Sequence, residues 1–531
     1  MMKSWVNSAE RIGADLLLDL SEPSEPSAPS GSFRPPGGRR AALIRALREA
    51  VRSGRLAPGT RLPPYRSLAA DLGVARNTVA DAYAELVAEG WLTARQGSGT
   101  RVADRARPLG RTQPPGPART VEGAQPAPPR AAPPRAAPPR PAPPKAPARA
   151  RGPRHDLRQG APDASAFPRT AWLASYRRAL QQAANEVFGP GDPAGRVELR
   201  EALTEYLARA RGVRTEPGRI VICSGFAHAL RLLFGQDRGG GGRRGVLRGP
   251  LGVEAYGLGF HRDLLAAAGV RTVPLPLDED GARVDRLARE RGVLLTPAHQ
   301  FPTGGPLHPE RRSAVIDWAR ARGGVVLEDD YDGEFRYDRK PVGAVQGLDP
   351  EHVIFIGSVS KSLSPAVRLG WMVLPERYVD DVLAAKGERE AWASVLDQLG
   401  LADFIVSGAY DRHVRRMRQR YRGRRDRLVA ALATHAPHIE VTGVAAGLHA
   451  VLRLPPGTER ATVEAATRRG IALDGLADFR HPQATEADMP VRDGLVVGCA
   501  TPSEHAYGAA LEALCGALPR GDRHGVEGRR R

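Results

Sequence analysis

Cysteine is the scarcest informative residue: three in 531 positions, Cys223, Cys499 and Cys515, with no spacing that a metal site needs. An odd, sparse set excludes a disulfide framework and a zinc site. It suits a reducing cytoplasm and small packing roles in the core. No metal is expected. No apolar run approaches the roughly 20 residues that span a bilayer, so no membrane segment is expected. Leu16-Leu17-Leu18, set between aspartates, does not make a signal peptide. Acidic residues are also short, 59 against 78 Lys and Arg, for a formal charge of +19. Residues 104–154 hold +9 of that excess and residues 39–103 hold +6, while the rest of the chain is nearly balanced. Charge gathered at one end points to a polyanion partner there. The length and an apolar content of 41% predict two or more domains with real cores.

Residues 1–36 are polar, with a Ser/Pro/Glu run from Ser21 to Ser30, and are expected to form a disordered arm. From Arg39 apolar residues recur at 43, 44, 47 and 51, a helical spacing. A short helix over about 66–72 then meets a turn at Gly73, and a second helix starts near Arg76. Small residues at Ala69 and Ala70 let the two helices cross closely. This is helix-turn-helix grammar, in which the start of the second helix meets base edges. It places Arg76, Asn77 and Thr78 on DNA, with Arg66 from the first helix. Residues 91–102 read as a hairpin wing whose tip offers Arg95, Gly97, Ser98 and Gly99 to the phosphate backbone. Leu-Pro-Pro-x-Arg-x-Leu-Ala, Arg-Asn-Thr-Val and Arg-x-Gly-Ser-Gly-Thr together closely resemble the winged helix of the GntR family of bacterial regulators, over residues 37–103.

Residues 104–154 repeat Ala-Pro-Pro-Arg at 127–130, 132–135 and 137–140 and have nothing to bury. They are expected to be an extended linker. From 155 to 518 short apolar runs (Ile220-Val221-Ile222, Val325-Val326-Leu327, Val353 to Ile356) alternate with helical patterns, implying an α/β domain with a largely parallel sheet. Residues 519–531 form a basic tail.

Lys361 stands in that domain after the run Val353–Ile356, among Ser358, Ser360 and Ser362 and seven residues before Arg368. A lysine kept from bulk water has a lowered pKa, and its neutral amine attacks aldehydes. Hydroxyls and a guanidinium suit a phosphate. An aldehyde and a phosphate in one ligand describe pyridoxal phosphate (PLP). Taken alone the run equally fits a solvated loop. Ser224-Gly225-Phe226-Ala227 opens a helix after a strand, and such a helix start binds phosphate through its amides. Glu328 to Asp332 puts carboxylates at a strand end, where α/β sheets place ligands. Asp329 can keep a pyridine nitrogen protonated, although an acidic loop facing water or metal fits the same letters.

Glu-Asp-Asp-Tyr-Asp-Gly-Glu-Phe followed by Gly-Ser-Val-Ser-Lys-Ser-Leu-Ser-Pro-x-x-Arg closely resembles the fold-type I aminotransferase domain. Behind a GntR winged helix, the combination resembles the MocR subfamily. His-Gln-Phe-Pro-Thr-Gly at 299–304, Asp-Pro-Ala-Gly at 192–195, Ser-Gly-Ala-Tyr at 407–410 and Gly-Leu-His at 447–449 are also typical of it. The resemblance implies Lys361 as the Schiff-base lysine, Asp329 on the ring nitrogen and Tyr331 on the ring hydroxyl. It implies Ser358, Arg368 and the backbone of Phe226 and Ala227 on the phosphate, and Tyr256 stacked on the ring. It also implies a homodimer, head-to-tail, with each winged helix on the other subunit's large domain and coupling through the linker. One departure matters: where amino-acid-binding members carry arginine, this chain has Thr501, which cannot make the bidentate carboxylate pair. The expected function is a DNA-binding regulator that senses PLP or an amine or amino compound forming an adduct with it. Its expected targets are genes of vitamin B6 or amine and amino-acid metabolism. The alternative is an active aminotransferase with an accessory DNA-binding arm.

Overall fold

The computed structural model describes residues 39–520 apart from 53–55, 57, 73, 96–98, 104–152, 236–244, 338–341, 388–392, 444–445 and 490–491. The expected N-terminal arm, nearly all of the linker, most of the tail, and Gly97 and Ser98 of the wing lie outside the described residues.

The first unit runs α1 (Arg39–Arg52), α2 (Tyr65–Asp71), α3 (Arg76–Ala88), β1 (Leu92–Arg95) and β2 (Gly99–Val102). Helical spacing puts Leu43, Ile44 and Leu47 on one face of α1, where they pack with Val79, Ala82, Tyr83 and Leu86 of α3 and with Trp91, Leu92 and Val102 of the wing. The wing strands pair antiparallel from Leu92 opposite Val102 to Arg95 opposite Gly99. Tyr83 donates to the Pro63 carbonyl at 3.0 Å, tying the Leu-Pro-Pro stretch to α3. Of the two small residues expected at the helix crossing, only Ala69 is buried; Ala70 faces solvent. One methyl suffices for the approach.

The large domain contains α4 (Val197–Arg211), β3 (Ile220–Cys223), α5 (Phe226–Phe234), β4 (Leu251–Glu254), α6 (Gly259–Ala267), β5 (Thr272–Leu275), β6 (Gly292–Leu295), β7 (Val325–Asp330), β8 (Val353–Ser358), β9 (Gly370–Val373) and α7 (Ala409–His435). Its seven-stranded sheet has the order β3-β9-β8-β7-β6-β4-β5. Only β9 runs antiparallel to its neighbours. Both faces are covered, so the strands are buried at nearly every position and mostly apolar up to their C-terminal ends, where Glu254, Asp329 and Ser358 stand. Phe355 and Trp371 point to the face packed by α4, while Ile354, Ile356 and Met372 point to the face packed by α5. A smaller antiparallel sheet of β10 (Glu440–Thr442), β11 (His449–Arg453), β12 (Asp474–Gly475) and β13 (Gly494–Gly498) has the order β10-β11-β13-β12. Cys223 and Cys499 are buried in these cores, whereas Cys515 is only half-buried. Among the described residues no helix is long and apolar enough to cross a membrane, and no group of side chains could hold a metal ion.

Phe355 is 1% exposed beneath α4. Phe355→Ala should lower the unfolding free energy of the large domain by about 3–5 kcal/mol, read from its urea transition.

Candidate functional site

The C-terminal ends of the parallel strands open on a cavity of about 200 Å³ lined by Asp329, Tyr331, Ser358, Ser360, Lys361, Phe226, Glu254, Tyr256 and His261 among others. Topology brings them together: β7 ends at Asp330 and pairs parallel with β8, setting Asp329 level with Ile356, just before the turn that carries Lys361. The Lys361 ammonium donates to the Gly160 carbonyl. Burial pulls the Lys361 pKa down, and the Asp332 and Asp329 carboxylates pull it back only in part. Burial, followed by the Asp330 charge, pushes Asp329 well above the usual carboxylate range. Among the described residues Asp329 has neither a hydrogen bond nor an ion pair, although it is 9% exposed. Its raised pKa keeps a proton on that carboxyl in this cavity, and a cation bound against it would favour the ionised form.

At the other end, β3 turns at Gly225 (φ 110°) into α5. The first intrahelical bond runs from the His228 amide to Gly225, 3.0 Å, which leaves the Phe226 and Ala227 amides ahead of it as free helix-start donors. A Cβ on Gly370 would stand 2.8 Å from Gly225 Cα, so the turn can approach β9 only over glycine. Arg368 is exposed and has no part in the cavity wall itself. Its φ of 55° makes it the non-glycine residue with left-handed backbone among the described residues. Its charge acts on Cys223 and His228 beside the α5 start. A cation whose charge reaches the start of α5, where two amides stand free, suits an anion there. The residues therefore fit PLP: a counter-charge for the ring nitrogen, an amine with lowered pKa and a phosphate cradle.

Tyr256 lines the cavity that Lys361 faces. It is 1% exposed and packs with Phe301 and Phe479, and burial together with the Glu459 charge dominates its hydroxyl. His261 of α6, like His449, feels the Lys361 charge; it is tilted against Phe226 at 4.5 Å and pushed down to about 4 by burial, so it is neutral near pH 7. Four further residues meet partners at the site that the local sequence does not show. Glu254 accepts from Thr296 Oγ1 at 2.6 Å and is pushed up to about 7 by burial. Gly160 is 201 positions from the lysine it meets. His299, inside a motif that is legible by eye, holds Tyr331 at 2.9 Å. Thr501 donates to the Arg158 carbonyl at 2.8 Å and to Ala161 at 3.2 Å, so its hydroxyl fastens the segment carrying Gly160.

On the winged helix, Arg76, Asn77 and Thr78 form the first turn of α3, with Arg76 and Asn77 exposed. Arg66 is exposed on α2, and the Arg76 guanidinium lies 5.1 Å from the Tyr65 ring centre. In the wing, Arg95 ends β1 and Gly99 opens β2 with φ 79°.

The opposite end of α3 is buried in a charged junction with the large domain of the same chain. Arg48 of α1 forms a bidentate pair with Glu89, 2.7 Å and 3.2 Å, with both side chains buried. Arg209 of α4 donates to the Glu89 carbonyl, stacks on Trp91 at 4.6 Å and pairs with Asp411 of α7 at 2.7 Å. Two residues on, Arg211 grips Asp330 through two bonds of 2.6 Å and 2.7 Å. The last turn of α4 thus touches both the cofactor strand and the base of the recognition helix.

Residues 40–102 match the family described as bacterial regulatory proteins, gntR family, and residues 156–483 match aminotransferase class I and II. The chain is 32% identical over 436 residues to the HTH-type transcriptional regulator YhdI of Bacillus subtilis, covering 81% of this chain and 86% of that one. It is 32% identical over 467 residues to the probable rhizopine catabolism regulatory protein MocR of Rhizobium meliloti, covering 86% and 89%. To the pyridoxine biosynthesis regulator PdxR of Corynebacterium glutamicum it is 29% identical over 480 residues, covering 90% and 96%. Among solved structures, a kynurenine aminotransferase of Pyrococcus horikoshii superposes with a TM-score of 0.59 at 23% identity, over 68% of this chain and 90% of that one, a likeness of fold. A winged helix with its reading face exposed, joined to an aminotransferase sheet that keeps its lysine and strand-end aspartate, places the chain in the GntR family of transcriptional regulators, among the MocR type that carry an aminotransferase domain.

Proposed function

We propose that this regulator binds PLP at Lys361 in the cytoplasm and that PLP, or an amine adduct of it, controls its hold on an operator. The observation that carries the reading is Asp329, a buried carboxylate with no partner facing the same cavity as a lysine of lowered pKa. When bound, the cofactor would supply an electron-accepting ring. Asp329 would balance its ring nitrogen, Ser358, Arg368 and the α5 amides would hold its phosphate, and Tyr331 would meet its ring hydroxyl. Because Thr501 spends its hydroxyl on backbone, nothing at that position replaces an arginine for a substrate carboxylate. That favours PLP itself or an amine over ordinary amino acids. Relatives named for pyridoxine biosynthesis and rhizopine catabolism support targets in vitamin B6 or amine metabolism.

The active form would be a homodimer reading two half-sites. A head-to-tail dimer would offer the α4–α7 surface to the partner's winged helix, the place that this chain's own winged helix takes here. Coupling would run through the Arg209 junction rather than the linker. A second reading, a working aminotransferase, rests on the retention of Lys361, Asp329 and Tyr331. Steady turnover with an amino donor and a keto acid would favour it.

With added PLP, the protein should show a visible absorbance band that Lys361→Ala lacks; no band in either protein would sink the sensor. Arg76→Ala should weaken operator binding by about 1–3 kcal/mol, roughly tenfold to a hundredfold, and relax specificity at one base position in an anisotropy titration. Arg209→Ala should leave PLP binding within roughly threefold while the ratio of operator affinities with and without PLP falls toward one. An unchanged ratio would remove the junction from the coupling.

A further inference from the structure

The Ser407-Gly408 turn before α7 does not line the cofactor cavity. It borders a different one. A cavity of about 530 Å³ opens between the winged helix and the large domain, with Arg40, Arg45, Arg48 and Glu85 on one wall and Ser407 and Arg412 on the other. Gly408, with φ 70°, lets the walls approach: a Cβ there would stand 2.5 Å from the Arg48 guanidinium. Such a space holds a small organic ligand rather than one water. Charge around it does not balance. Three carboxylates act on Arg412, and each already has a guanidinium partner. Glu85 accepts from Arg40 and lies 3.5 Å from Arg415. Glu89 takes Arg48, and Asp411 takes Arg209 at 2.7 Å. Two guanidiniums are left over, one on each wall. Arg45 of α1 has neither a hydrogen bond nor an ion pair among the described residues. Arg412 of α7 donates only to the Ser407 carbonyl, at 3.4 Å from both Nη atoms. Its pKa is drawn down, first by partial burial and then by the Arg48 charge, against the pull of Glu89, Glu85 and Asp411.

Unpaired cations that share a cavity repel one another and attract an anion. We propose that this cavity is a second ligand site, which takes a small anion with two or more phosphate groups and bridges Arg45 of the winged helix to Arg412 of the large domain. A guanidinium donates in a planar fork that fits phosphate oxygens, and forks on facing walls suit a ligand charged at both ends. Operator DNA is the poorer fit. Glu85 stands nine residues beyond Arg76 on α3, about 14 Å along the axis from the reading end, and it puts a carboxylate on the cavity wall. A ligand held here ties the winged helix to the large domain, so it acts on operator binding without touching Lys361.

The test is a calorimetric titration of pyrophosphate into the full-length protein with PLP added, so that the phosphate cradle at α5 is filled. Pyrophosphate should bind at least about tenfold more tightly than inorganic phosphate. Arg45→Gln and Arg412→Gln, both at exposed positions, should each weaken pyrophosphate by at least about tenfold. Arg460→Gln, which removes a charge that is 94% exposed and outside the cavity, should leave its affinity within about twofold. At matched ionic strength, pyrophosphate should shift the operator affinity of the wild type by about threefold or more and leave that of Arg412→Gln unmoved. Equal pyrophosphate affinity in the wild type and both cavity variants would overturn the proposal, as would an equal loss in Arg460→Gln. A wild type that binds no pyrophosphate, with operator binding weakened in both cavity variants, would overturn it too and give these arginines to the DNA backbone.

Discussion

Glu328, Asp329, Asp330 and Asp332 are four carboxylates buried within five residues at the end of one strand. Buried acids must each find protons, donors or cations, and the architecture of the large domain is largely the set of answers. Strand alternation sends Glu328 and Asp330 to one face and Asp329 to the other. Glu328 accepts the amides of Val345 and Gln346, both at 2.9 Å, and burial pushes its pKa up to about 7. Asp330 takes Arg211 of α4, and Asp332 takes His299. Only Asp329 is left to a ligand. One cluster of like charge thereby anchors a loop, a helix, a tyrosine and a binding site.

The same cluster separates what can be read along the chain from what cannot. The winged helix follows local spacing, since α1, α2 and α3 differ from expectation by a residue or so at their ends. Lys361, Asp329 and Tyr331 stand in runs whose turn and strand patterns are self-contained. Gly160 on Lys361, Arg209 on Glu89 and Arg211 on Asp330 join positions 201, 120 and 119 apart, and nothing local marks them. Tyr256 stands in roughly the motif expected and lines the cavity, with its ring buried in the cluster that holds Phe301 and Phe479. Thr501 was legible as an absence of arginine, but its hold on the segment carrying Gly160 was not.

Arg209 and Arg211 sit two residues apart on α4, so their side chains leave the helix on well-separated sides. One side chain reaches the end of β7 and the other the end of α3. A helix turn is stiff over this distance, and the carboxylates at both ends are buried and hydrogen-bonded. Breaking one partner of such a pair leaves a bare charge and typically costs about 3–5 kcal/mol. The junction is therefore poised between two penalties rather than loosely held.

That arrangement changes what the stretch 104–154 has to do. Where a winged helix sits is decided by Arg48, Glu89, Trp91, Arg209 and Asp411, side chains that mate over a small area. The tether only has to reach. A change at Arg209 would strip Asp411 of its pair and the Glu89 carbonyl of its donor, and the Glu89 side chain, held by Arg48, could not replace either contact.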